Sequence, residues 1–143
     1  MPESEIKNKD VPRVPMAIKK PRVLLLEDDP YFFELYGNRL RGGNFEVFSE
    51  ADEDEGLKKA LAEKPDVIIL DISLPKEDDF SFIANLKKYP EVSSIPVIIL
   101  TDLEDEDSRK RGLALGARDY LVRNEVSFAD IMEGIRKANE DKK

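Results

Sequence analysis

The sequence predicts an α/β domain built on a doubly wound parallel sheet of five strands, with helices on both faces. Three observations carry this. Five short apolar runs follow residue 21, three of them are apolar throughout instead of alternating, and amphipathic stretches separate them. A strand that is apolar on both faces must be covered on both faces, and parallel neighbours need a crossover of about a dozen residues or more, usually a helix.

Residues 1–21 differ from the rest: Pro2, Pro12, Pro15 and Pro21 are scattered among Lys, Glu and Asn with no helical or strand period. They read as an extended arm or linker, and residues 22–143 are expected to form the domain. The first strand is Val23-Leu24-Leu25-Leu26. Residues 30–41 place Phe33, Tyr36 and Leu40 at helical spacing and stop at Gly42-Gly43. Phe45 to Phe48 is a weaker second strand. Residues 52–63 begin with acids, which suit a helix N-terminus, and put Leu57, Ala60 and Leu61 on one face. The third strand, Val67-Ile68-Ile69-Leu70, is followed by a helix over 79–88 with Phe82, Ile83 and Leu86 together. The fourth, Val97-Ile98-Ile99-Leu100, is followed by a helix over 105–115 that runs from acids into Arg109-Lys110-Arg111. Tyr120-Leu121-Val122 is the fifth strand. The last helix opens on Ser127 and Asp130, a capping box, and carries the stripe Phe128, Ile131, Met132 and Ile135. Crossovers are expected to be right-handed; pattern alone does not separate the two known strand orders of such a sheet, and five strands fit the flavodoxin-like order 2-1-3-4-5 better.

Composition narrows the chemistry. The 143 residues contain neither Cys nor His, which excludes disulfide scaffolds, thiolate or imidazole metal sites, thiol nucleophiles and Ser-His-Asp triads. With 31 acidic and 23 basic residues the net charge is −8, which opposes direct attraction to nucleic acid or anionic lipid. No apolar run approaches the roughly 18 to 20 residues of a membrane span, and the N-terminus lacks a signal peptide's apolar stretch, so the cytoplasm is the expected compartment.

In a doubly wound sheet the site lies beyond the carboxyl ends of the strands. The residues there are polar: Glu27-Asp28-Asp29 after the first run, Asp71 after the third, Thr101-Asp102 after the fourth, Arg123-Asn124 after the fifth. A single charge at a strand end usually marks only a chain leaving the core for water. An acidic cluster, a lone Asp, a Thr and a base on four strand ends are harder to explain that way. Carboxylates from neighbouring strands repel unless protons or a cation compensate, and hard oxygen ligands suit magnesium. A hydroxyl and a cation facing the same point would complete a phosphoryl site.

The segments Val23-Leu24-Leu25-Leu26-Glu27-Asp28-Asp29, Val67-Ile68-Ile69-Leu70-Asp71-Ile72-Ser73-Leu74-Pro75, Ile95-Pro96-Val97-Ile98-Ile99-Leu100-Thr101 and Gly116-Ala117-Arg118-Asp119-Tyr120-Leu121-Val122-Arg123 resemble the receiver domain of two-component response regulators, over roughly residues 22–140. The resemblance implies a phosphorelay switch that is no enzyme beyond assisting its own phosphotransfer and dephosphorylation. Asp71 would be the phosphoacceptor, supplied by a histidine kinase, a phosphotransfer protein or a small acyl phosphate. Magnesium would be held by Glu27, Asp28, Asp71 and the Ser73 backbone carbonyl, with Asp28 the more direct ligand of the acidic pair. Thr101 would be the switch hydroxyl and Tyr120 the aromatic that follows it. The fourth helix, fifth strand and fifth helix would contact an output protein, the domain being a monomer or weak dimer.

Four positions depart from the family pattern. Arg123 stands where a Lys is usual, Asn124 where a Pro follows it, Asp102 where a small residue follows the switch hydroxyl, and Asp79 where a Gly is expected after Pro75. Without Pro, the bond before residue 124 is expected to be trans, because cis costs about 2.5–4 kcal/mol before other residues. Arg123 is long enough to reach Asp71, and pairing with a surface acid is the alternative. Asp102, if close, would add to the negative field and slow anionic phosphodonors. A pseudo-receiver that binds partners without phosphorylation is the competing reading. A haloacid-dehalogenase-like phosphatase fits less well, since the position of its general acid is Ser73.

Overall fold

A computed structural model describes residues 19–72 and 80–141. They run β1 (Arg22–Leu26), α1 (Pro30–Gly42), β2 (Glu46–Glu50), α2 (Glu53–Glu63), β3 (Val67–Ile72), α3 (Ser81–Leu86), β4 (Val97–Thr101), α4 (Glu106–Ala114), β5 (Asp119–Val122), a single 3₁₀ turn (Arg123–Glu125) and α5 (Phe128–Asp141). The strands are parallel in the order β2-β1-β3-β4-β5, the order favoured for five strands. Residues 1–18 of the expected arm lie outside the described residues, as do Ser73 and Asp79.

Each face of the sheet buries its own core. Leu24, Leu26, Ile68, Leu70, Ile72, Val97, Ile99, Tyr120 and Val122 pack with Ala60 of α2 and Phe82, Ile83 and Leu86 of α3. On the other face Val23, Leu25, Val67, Ile69, Ile98 and Leu100 pack with Tyr36 and Leu40 of α1 and Ile131, Ile135 and Ala138 of α5. Side chains alternate along a strand, so this division assigns the residues beyond it. Continuing the alternation puts Glu27, Asp71 and Arg123 on the α1/α5 face and Thr101 on the face that buries Tyr120.

Carboxylates start the helices. Asp29 accepts from the backbone N–H groups of Tyr31 and Phe32 with Pro30 at the first helical position, and Asp52 accepts from Glu55 N. The capping box forms as expected: Asp130 N donates to Ser127 Oγ and Ser127 N to Asp130 Oδ2. Two details differ from the sequence reading. Phe32, not Phe33, joins Tyr36 and Leu40 in the core on α1. The left-handed residue after α1 is Asn44 (φ 77°), and a Cβ at Gly43 would lie 2.5 Å from Met132 Sδ, so that side chain would have to move. No cis peptide bond occurs among the described residues, so the Arg123–Asn124 bond is trans.

Candidate functional site

The carboxyl ends of β1, β3, β4 and β5 are brought level by their registers: Leu26 pairs with Leu70, Ile72 with Thr101, and Thr101 with Val122. Asp71, one residue before the end of β3, has a side chain with no exposed surface. A buried carboxylate requires compensation. Arg123 supplies it, its Nη1 donating to Asp71 Oδ2 at 2.9 Å and its Nη2 to Oδ1 at 2.6 Å. Burial works against the Arg123 charge, but Asp71 outweighs it and raises the guanidinium above its ordinary pKa.

The guanidinium is itself held from three sides. Nε donates to Asp102 Oδ1 at 2.8 Å, Nη1 also donates to the Tyr36 hydroxyl at 3.0 Å, and the Phe32 ring lies beneath it with its centroid 4.2 Å away. Phe32 stacks on Tyr36, and Tyr36 on Phe128 of α5. The sequence placed Tyr36 only in the core stripe and did not single out Phe32. An Arg in place of a Lys, which needs more acceptors and favours an aromatic face, was the one signal pointing to such a socket. Asp102 is indeed close, and it shares Arg123 with Asp71, so one cation faces two carboxylates.

Glu27 is 1% exposed. Burial, then the neighbouring Asp71, push its carboxyl up to about 9. Oε2 accepts from Asp29 N at 2.8 Å, while Oε1 is buried without a hydrogen-bond donor among the described residues. That oxygen calls for a proton or a cation. Asp28 is exposed. Among the described residues no group of three or more His, Cys, Asp or Glu is gathered closely enough to hold a metal by itself. The unpartnered Glu27 oxygen and an all-oxygen donor set nonetheless fit magnesium, which takes few protein ligands and keeps waters. Asp29, by contrast, is occupied as the cap of α1.

Thr101 and Tyr120 meet at the backbone of Leu103. Thr101 is 1% exposed and its Oγ1 accepts from Leu103 N at 3.1 Å; the buried Tyr120 donates its hydroxyl to Leu103 O at 3.0 Å. Arg109 of α4 lies over the Tyr120 ring, 5.1 Å from its centroid, and donates to Tyr120 O. Burial, followed by Asp105, raises the Tyr120 hydroxyl above its ordinary pKa.

The chain belongs to the response regulator receiver domain family, whose model matches residues 23–136. It is a signalling domain of two-component systems. It is 36% identical over 108 residues to a probable transcriptional regulator of Cyanophora paradoxa, covering 76% of this chain and 44% of that protein. Among solved structures, the BeF3-activated N-terminal receiver domain of RstA from Klebsiella pneumoniae superposes with a TM-score of 0.72 at 26% identity, covering 82% of this chain and 97% of that one. The receiver domain of a sensor histidine kinase from Pseudomonas aeruginosa, with magnesium coordinated in its active site cleft, superposes with a TM-score of 0.74 at 24% identity, covering 85% and 98%. The chain spans less than half the length of the curated relatives it matches. No helix among the described residues is long and apolar enough to cross a membrane.

Proposed function

We propose that this chain is a phosphoacceptor switch of a two-component phosphorelay that takes a phosphoryl group on Asp71 from a histidine kinase or phosphotransfer protein. The observation that carries this reading is the Asp71 carboxylate, buried at the end of the central strand and held by both terminal nitrogens of Arg123. An anionic nucleophile approaching an anionic phosphoryl group needs fixed positive charge and alignment. Arg123 provides both, aligning the Asp71 oxygens before attack and receiving a phosphoryl oxygen afterwards. An Asp71 oxygen forms the new O–P bond as the bond from phosphorus to the donor nitrogen breaks. Glu27, Asp28, Asp71 and the Ser73 carbonyl would hold magnesium, which would supply further neutralisation of the phosphoryl charge.

The response begins at Thr101. Its hydroxyl proton is available to a phosphoryl oxygen, and turning toward it releases Leu103 N, whose residue also carries the carbonyl that holds Tyr120. Thr101 and Tyr120 therefore act together, and the change reaches α4, β5 and α5, the surface proposed for the output protein. Residues 22–143 form the receiver unit and 1–21 an arm or linker; the domain works in the cytoplasm as a monomer or weak dimer and catalyses only its own phosphotransfer and dephosphorylation.

Titration with beryllium fluoride and magnesium, followed by NMR, tests this. Saturable shifts at Asp71, Thr101 and Tyr120 are expected. A spectrum that stays unchanged through the titration would overturn the reading.

A further inference from the structure

An arginine fork at the end of β5 has to be aimed. A lysine ammonium is a point charge, whereas a guanidinium bonds two carboxylate oxygens only in one plane and one rotation. Arg123 leaves the last strand and enters a 3₁₀ turn on a trans backbone, so its aim depends on what holds the side chain. Four of its five N–H groups have acceptors among the described residues: Asp71 takes two, the Tyr36 hydroxyl one and Asp102 one. The remaining N–H, on Nη2, points to the same side of the planar guanidinium as Nε–H, the side where Asp102 lies. Phe32 fixes the plane from below.

We infer that Asp102 and Tyr36 are positioning residues, a socket specific to arginine that aims the fork at Asp71 for phosphoryl transfer. This rests on the phosphoacceptor reading and deepens it. Asp102 holds Nε, the atom whose position sets the rotation of the fork, and Tyr36 accepts from the edge of Nη1. With those anchors the two N–H groups that hold the Asp71 oxygens stay aligned for the phosphoryl transfer without reorganisation, a geometric gain that is worth far more in a buried site than in water. A lysine at 123 could not use the socket. Its single nitrogen lies at the end of a chain with no equivalent of Nε, so an acid at 102 would draw it away from Asp71. The Arg at 123 and the Asp at 102, two separate departures from the family pattern, are thus one paired device.

The test compares the full chain with Asp102→Asn, Asp102→Ala, Tyr36→Phe and Arg123→Lys, reading the rate of labelling by acetyl phosphate with magnesium. Asn keeps an acceptor for Nε and removes the charge; Ala removes both. The socket predicts that Asp102→Asn labels at least as fast as the parent, that Asp102→Ala is about tenfold slower, and that Tyr36→Phe is slowed less. In an Arg123→Lys background, Asp102→Ala should cause no loss. Equal acceleration by Asn and Ala would mean that Asp102 acts only through its field and would overturn the inference, as would an unchanged Asp102→Ala. A second readout does not depend on labelling: the Arg123 Nε–H proton, assigned through Arg123→Lys, should exchange slowly in the parent and in Asp102→Asn and quickly in Asp102→Ala. Slow exchange in Asp102→Ala would overturn the positioning role. A parent that takes no label would overturn the phosphoacceptor reading, and the exchange measurement would still decide whether Asp102 holds the fork.

Discussion

Replacing Arg123 with Ala removes the countercharge that the described residues give the Asp71 carboxylate, whose side chain has no exposed surface in the parent. Two charge-assisted hydrogen bonds at 2.6 and 2.9 Å are lost, together with the guanidinium face on Phe32. The lost Asp102 contact adds little, because that side chain is half exposed. Removing one partner of a buried ion pair costs about 3–5 kcal/mol, mostly because the other charge remains buried. Against a total stability of about 5–15 kcal/mol, this is a large fraction, and it should lower the melting temperature by roughly 10 to 20 °C. Asp71→Asn behaves differently. It removes a charge next to Glu27 and leaves Arg123 bonded to Asp102 and Tyr36, so it should cost little. Urea unfolding of the parent, both single variants and the double variant forms a thermodynamic cycle. The double variant should be markedly more stable than Arg123→Ala alone, with a coupling of at least about 2 kcal/mol. A coupling below about 1 kcal/mol would show that the pair is solvated, and the reasoning from burial would fail.

Other expectations follow from single contacts. Glu27 keeps a proton in the folded chain that the unfolded chain sheds above its ordinary 4.5, so the associated stability is complete below that pH and lost as pH rises toward about 9. The urea midpoint of the parent should fall across that window, and Glu27→Gln should flatten the fall; equal slopes would place the proton elsewhere. Magnesium should raise the melting temperature by mass action, and Asp28→Asn should weaken the effect; an unchanged increment would remove Asp28 from the ligand set. Gly112→Ala brings a Cβ within 2.7 Å of Ile99 Cδ1 and 3.3 Å of the Tyr120 ring, so it should cost about 1–3 kcal/mol in denaturant unfolding. Ser127→Ala should cost about 1 kcal/mol by losing the cap of α5; a neutral result would mean that Asp130 alone starts that helix.

The parallel sheet and both cores were legible because the central runs, Val67 to Leu70 and Val97 to Leu100, are apolar at every position and so require cover on both faces; the strand order was favoured only by the number of strands. The polar residues that end those runs were legible for the same reason, as breaks in an otherwise apolar pattern. What joins them was not. Tyr36 sits in a helical stripe with Leu40, and periodicity cannot reveal that its hydroxyl faces a guanidinium 87 residues away. On α1 the expected Tyr36 and Leu40 face the core but Phe32 takes the place given to Phe33, because the two are equivalent in pattern and only packing distinguishes them. Asp29 looked like part of the acidic site until its bonds to Tyr31 N and Phe32 N identified it as a cap. Asp102 read as a loose negative charge because its partner, Arg123, lies in the turn beyond another strand.

The central claim is that Asp71 accepts a phosphoryl group. Incubating the full chain with acetyl phosphate and magnesium and measuring its intact mass tests it most directly. The parent should gain the mass of one phosphoryl group, lose it again on standing, and gain none once Asp71 is replaced by Asn. Undiminished labelling of Asp71→Asn, or a parent whose mass does not change, would contradict the account.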